Sequence, residues 1–168
     1  NITIEQFNSP GFLNTLSTTD AFFEKRNRFF QTDFYTWQRK SRKILVNEAL
    51  QPDGGKWTFD ADNRDKYPKN KQAPTCEFMD ENGLIKAATK YITQHFPNNP
   101  GSKTAPFTQI DKKGYYPIDF ESAEKWLTQF LQTRFTEFGV YEDAMVAGET
   151  VLHHSVLSPL INIGLLTP

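Results

Sequence analysis

The sequence predicts a mainly α-helical chain with long loops and at most a vestige of sheet. Three observations carry this. Apolar residues recur at helical spacing in four separate stretches, two long polar stretches rich in Gly and Pro show no periodicity, and strand-like alternation is confined to the first few residues.

Taken in order, Asn1 to Phe7 alternates enough for a short strand, which Ser9-Pro10-Gly11 breaks. Thr18, Thr19 and Asp20 offer N-caps for a helix carrying Phe22, Phe23, Arg26, Phe29 and Phe30. Thr32 offers a cap for a second, with Phe34, Trp37, Ser41, Ile44 and Leu45 on one face, and Arg39, Lys40, Arg42 and Lys43 away from that stripe as solvated or ligand-facing charges. From Glu48 to Cys76 the pattern fails and a long connecting loop is expected, which makes it the natural place for a boundary. Leu84, Ala87, Ala88, Tyr91, Ile92 and Phe96 have helical spacing, ended by Pro97. Asn98 to Tyr116 is another polar connection. The clearest helix begins near Asp119, carries Ala123, Trp126, Leu127, Phe130, Leu131, Phe135 and Phe138, and is stopped by Gly139. Tyr141 to Thr150 reads as an acidic, small-residue loop. Val151 to Leu166 is almost wholly apolar, and its end without a polar tail suggests a chain cut inside a larger domain.

Composition bounds the function. A chain of 168 residues makes one ordinary domain or two partial ones. With 38% hydrophobic, 14% aromatic and 23% charged residues it is no disordered tail. A net charge of −1 gives no global basic field, although the Lys25 to Lys71 stretch is basic and Asp119 to Glu149 acidic. The one cysteine, Cys76, excludes an intrachain disulfide, a zinc framework and a complete iron–sulfur ligand set, and fits a reducing cytoplasm. No apolar run approaches the ~20 residues that span a bilayer, so no membrane partner is expected.

Two clusters bear chemistry. Gly54-Gly55-Lys56-Trp57, with Phe59-Asp60 and Asn63-Arg64, reads either as a phosphate or interdomain clamp or as a self-bonded loop in which Arg64 pairs with Asp60. His153-His154-Ser155-Val156-Leu157-Ser158-Pro159 reads as a helix start, where Ser155 and Ser158 either cap the helix or leave its N–H groups to an anion. Adjacent imidazoles diverge, so His153 and His154 do not suggest a metal site. His95 suits the C-terminal dipole of its helix, and Cys76 reads as inert.

A resemblance gathers these pieces. Phe12-Leu13, Arg28-Phe29-Phe30 through Phe34-Tyr35, Arg39-Lys40 to Ile44-Leu45, and Gly54-Gly55-Lys56-Trp57 with Asp60, Asn63 and Arg64 resemble the bacterial iron–sulfur photolyase and cryptochrome family in order and spacing. So do Phe138-Gly139, Tyr141 to Met145, His154-Ser155, Leu157-Ser158-Pro159, Asn162 and Gly164-Leu165-Leu166. The resemblance implies an internal fragment: residues 1–16 finish an α/β antenna-binding domain, 17–116 form a helical interdomain connector with long loops, and 117–168 open the helical FAD-binding domain. The family's Thr-Ser-x-Leu-Ser-Pro stretch wraps the flavin phosphates. It carries FAD contact onto Ser155, Leu157 and Ser158, with His154 standing where the family has Thr, and Tyr141 resembles the tyrosine that the family sets against the flavin.

The implied activity is light-driven repair of UV-damaged DNA, of the six-four type, by electron transfer from reduced flavin to a lesion flipped out of the duplex. An iron–sulfur cluster and a lumazine-type antenna are implied for the parent, with their ligands and its catalytic histidines outside this chain. No residue here is assigned to catalysis or metal, and the piece alone is expected to be inactive and to rely on the remaining parts of the same polypeptide. Two alternatives stand beside this: a cryptochrome-type photoreceptor, and a non-catalytic DNA-binding helical module using the basic stretch.

Overall fold

The structure is a computed structural model that describes residues 2–80, 82–101, 109–110 and 114–168. It is mainly helical: α1 (Leu16–Phe23), α2 (Gln31–Arg42), α3 (Gly83–His95), β1 (Gln109–Ile110), β2 (Gly114–Tyr115), α4 (Phe120–Thr133), α5 (Phe135–Phe138) and α6 (Ser158–Asn162). The chain divides into two compact units, Asn1–Ala61 with Thr167–Pro168, and Asp62–Leu166. Among the described residues no helix is long and apolar enough to cross a membrane.

The first unit is built on aromatic rings. Thr15 caps α1 by accepting from the Thr18 N–H, which moves the start upstream of Thr18, Thr19 and Asp20. Phe22 is buried between Phe34 and Trp37, with centroids at 5.1 and 4.9 Å, and the Arg26 guanidinium lies 3.9 Å from its ring centre. Phe29 and Phe30 are exposed and lie between α1 and α2, not on a longer first helix. Helix α2 starts after Phe30 without a side-chain cap, so Thr32 lies inside it. No strand forms over residues 2–9, because a lone extended segment has no ladder partner for its backbone.

Arg39 departs most from the expectation of a solvated charge: it is only 5% exposed. Helix α2 ends at Lys43 in the left-handed region (φ 55), and the chain turns back over the helix end. That turn presents carbonyls to Arg39, which donates to Ile44 (3.2 Å), to Leu45, and to Trp57 (3.2 Å). Arg42 is likewise engaged, donating to the Leu13 carbonyl and to Asn14 Oδ1 (3.0 Å).

The second unit packs around Ala123, Trp126 and Leu160, all fully buried, with Phe78, Met79, Tyr116, Val156, Leu157, Leu165 and Leu166 against them. Helix α4 opens with a capping box in which Asp119 accepts from the Ser122 N–H at 2.8 Å, and Ser122 Oγ accepts from the Asp119 N–H. β1 and β2 pair antiparallel, and Tyr115 exchanges backbone bonds with Met79. Gly114 (φ +149) is required there: a Cβ would sit 2.5 Å from that of Phe78. One helix from Asp119 to Gly139 was expected, but α4 ends at Thr133 and α5 follows as a single turn. Thr133 Oγ1 donates back to the Gln129 carbonyl, and Arg134 continues the buried stripe of Trp126 and Phe130 inward, turning the backbone at the junction.

Replacing Asp119 with Ala is expected to lower unfolding stability by about 1 kcal/mol in urea titrations near neutral pH. Ser122 holds the folded carboxyl below the usual range, so the native cap contributes above the unfolded carboxyl's pKa, and its advantage over the variant disappears as pH falls through the folded value.

Candidate functional site

Two sets of residues meet around the loop from Val151 to Leu157. The first contains the sequence-predicted positions. Val151, Leu152 and His153 are buried, which anchors the loop's beginning. Its middle is fixed from α4 and from the residue that follows β2: Trp126 Nε1 donates to the Ser155 carbonyl at 2.9 Å, and the Tyr116 hydroxyl donates to the Val156 carbonyl. Burial pushes the Tyr116 phenol up to about 12, so it stays a donor throughout the physiological range. Val156 is left-handed (φ 53) and reverses the chain into α6.

The predicted residues land unequally. His154 Nδ1 accepts from the Leu152 N–H at 3.3 Å, which places the ring proton on Nε2, and Nε2 donates to the Glu142 carbonyl at 3.1 Å. His154 and Tyr141 are thereby tied to the same turn. Leu157 packs on the core, and Ser158 is exposed as the first residue of α6. Neither Ser155 nor Ser158 caps this helix: Leu157 occupies the N-cap position with αR backbone, and no side-chain cap bond is made. The capping expectation is corrected by the turn at Val156, which carries Ser158 past the cap position into the helix. In the Asn63-Arg64 cluster, Arg64 faces Asp143 at 3.7 Å instead of Asp60, and Asn63 donates to Glu142 at 3.0 Å, so this loop braces the Tyr141 turn.

The second set was not apparent in the sequence. Tyr141 meets Tyr67 edge-on (4.9 Å) and His153 at a tilt (5.4 Å), and the Lys71 ammonium lies 4.9 Å from the Tyr141 ring centre while pairing with Glu137. The Tyr67 hydroxyl donates to the Gln72 carbonyl at 3.0 Å, leaving its oxygen to accept from His153 Nε2 at 3.3 Å. Glu137 lies 3.6 Å from the same nitrogen. Burial lowers the His153 pKa against the opposing pull of Glu137, so the ring is neutral at pH 7. The hydrogen bond from Lys71 holds Glu137 below the carboxylate range. Burial raises Tyr67 although Lys71 opposes it. The cluster borders a cavity of about 520 Å³ lined by Tyr67, Lys71, Thr75, Cys76, Glu149 and Val151 among others. These residues span 86 positions, and no local spacing foreshadows their meeting. A hint lay in the apolar flank of His153, which marks it for burial. Among the described residues, no group of three or more His, Cys, Asp or Glu could hold a metal ion.

A mainly helical chain with a braced loop and an aromatic, partly charged concavity is a segment suited to cradle a ligand, and comparison with known proteins says which class it comes from. The model of the family described as deoxyribodipyrimidine photo-lyase-related protein matches residues 1–107, and the chain belongs to that family. A curated relative, the (6-4) photolyase of Agrobacterium fabrum (strain C58 / ATCC 33970), is 31% identical over 133 residues. That match covers 79% of this chain and 24% of the relative, so the chain spans about a quarter of the relative's length.

Because the His153 pKa is depressed in the fold, the unfolded chain binds the extra proton first as pH falls. Stability is therefore expected to drop from about pH 6.5 downward until the folded pKa is passed, and His153→Gln should flatten that segment of a urea midpoint-versus-pH curve.

Proposed function

We propose that this chain forms the interdomain connector and the opening of the FAD-binding domain in a light-driven photolyase that repairs UV-damaged DNA, of the six-four type. The observation that carries the reading is the 31% identity to a protein named (6-4) photolyase, together with the family match. On this reading residues 1–16 close an antenna domain, 17–116 connect, and 117–168 begin the flavin domain. A lumazine-type antenna and an iron–sulfur cluster are held by other parts of the polypeptide, which works in the cytoplasm.

Bound flavin supplies light-driven electron transfer to a lesion flipped from the duplex. The residues of this chain bind and orient it. Ser155 and Ser158 offer hydroxyls on either side of the turn at Val156, and α6 opens without a side-chain cap, which suits a phosphate. Leu157 supports that turn from the core, and Tyr141 supplies an aromatic face. His154 has both ring nitrogens engaged, so it holds the loop in place of the hydroxyl contact that the family's Thr would make.

The non-catalytic DNA-binding reading rests on Arg39, Lys40, Arg42 and Lys43. Arg39 is buried against backbone carbonyls, which takes one of these four cations off the surface that reading needs.

The test is the visible absorption spectrum, in the dark, of the longer polypeptide containing this chain, with and without Ser155→Ala plus Ser158→Ala. A flavin band in the native protein, and its loss or at least a tenfold weaker flavin affinity in the double variant, is expected. Absence of flavin in the native protein would overturn the reading. A lesion-repair assay under blue light then separates repair from signalling.

A further inference from the structure

Arg134 is fully buried at the junction of α4 and α5, beneath the rings of Trp126 and Phe130 (5.4 and 5.7 Å). A buried guanidinium is costly unless its charge and its five N–H donors are matched. Nη1 reaches Gln129 Oε1 at 3.3 Å and Cys76 Sγ at 2.9 Å, while Nε and Nη2 have no hydrogen-bond acceptor among the described residues. Burial lowers the proton affinity of Arg134, and the group that pushes it back up is Cys76. The sulfur lies where an anion would answer that buried charge.

Cys76 is half-buried and lines the 520 Å³ cavity described above. A thiol against a cation, open to a concavity large enough for a small molecule, is the setting in which cysteines become nucleophiles. The other ionisable groups on the cavity wall are Tyr67, Lys71 and Glu149, and Glu77 is the neighbour in sequence. Lys71 adds positive charge, largely answered by Glu137.

We propose that Cys76 is a thiolate held by Arg134 and is the site at which hydroperoxides modify this protein. The sulfur attacks the outer oxygen of the peroxide: an S–O bond forms as the O–O bond breaks, and the leaving hydroxide or alkoxide takes a proton from water. Sulfur is oxidised by two electrons to a sulfenic acid, and the peroxide is reduced to water or an alcohol. The new oxygen offers the Arg134 donors an acceptor that sulfur alone does not supply. This site is independent of the flavin reading.

The thiolate is read by ultraviolet titration and by iodoacetamide alkylation of the 168-residue chain, followed by intact mass. At about pH 6.5 the native chain is expected to alkylate roughly tenfold faster than the same chain in urea, where Arg134 is no longer beside the sulfur. The native thiolate absorbance should rise below the pH at which the unfolded chain's does. Hydrogen peroxide followed by dimedone should give a single adduct, absent in Cys76→Ser and reduced in Arg134→Gln. A native thiolate that forms at or above the unfolded chain's pH, or a native chain that gives no dimedone adduct, overturns the proposal. The native-to-unfolded comparison decides even if Arg134→Gln fails to fold.

Discussion

Trp126 has one polar atom on a ring that is wholly removed from water, and that atom must find an acceptor inside the protein. It finds the Ser155 carbonyl, 29 residues along the chain. Much follows from this bond. It holds the loop after His153 against α4, so that Leu157 can enter the core and the chain can reverse at Val156. The Tyr116 hydroxyl secures the next carbonyl in the same way. Two aromatic side chains, one from α4 and one following β2, thus hold the loop through its carbonyls. Holding the loop through its carbonyls does not occupy the hydroxyls of Ser155 and Ser158, which is what the proposed phosphate contact asks of them.

The two buried arginines show how differently the same side chain can be accommodated. Arg39 sits where a helix ends and the backbone doubles back, so carbonyls of Ile44, Leu45 and Trp57 surround it. Its charge is solvated by backbone dipoles and no anion is required. Arg134 sits at the C-cap of α4, at its junction with α5, in line with the buried Trp126 and Phe130. Around it are rings, one amide oxygen and a sulfur. The first arginine is a structural clasp; the second carries charge that its surroundings do not fully answer.

How far the sequence revealed this depended on the range of the interaction. Helix α3, the start of α4 at Asp119 and the loop after Tyr141 follow from periodicity, caps and glycine, all local signals, and the structure has them. The mainly helical character followed from the same signals. Arg39 was misread because amphipathic spacing ranks charges by helical angle alone, whereas its burial is decided by a turn beyond the helix end. The break at Thr133 was missed because Arg134 looks like any charge near a helix terminus. The ring cluster of Tyr67, Tyr141 and His153 was invisible, since no spacing rule joins residues 67 and 153. Only the apolar residues beside His153 hinted that its imidazole would be buried.

The position of His154 adds a last step. A hydroxyl side chain at that place could turn toward a ligand, being short and free to rotate, whereas the imidazole reaches 12 residues back to the Glu142 carbonyl and is fixed at both nitrogens. Asn63 and Arg64 reach the side chains of Glu142 and Asp143 in that same turn, so three side chains from two distant stretches brace the segment that carries Tyr141. On the proposed flavin reading, His154 acts through the rigidity of the tyrosine's turn and not through a direct hydroxyl contact. Preorganisation of this kind lowers the ordering cost of holding an aromatic cofactor. The histidine is therefore consistent with the loop's use as a ligand cradle, by a route that depends on positioning and not on a hydroxyl.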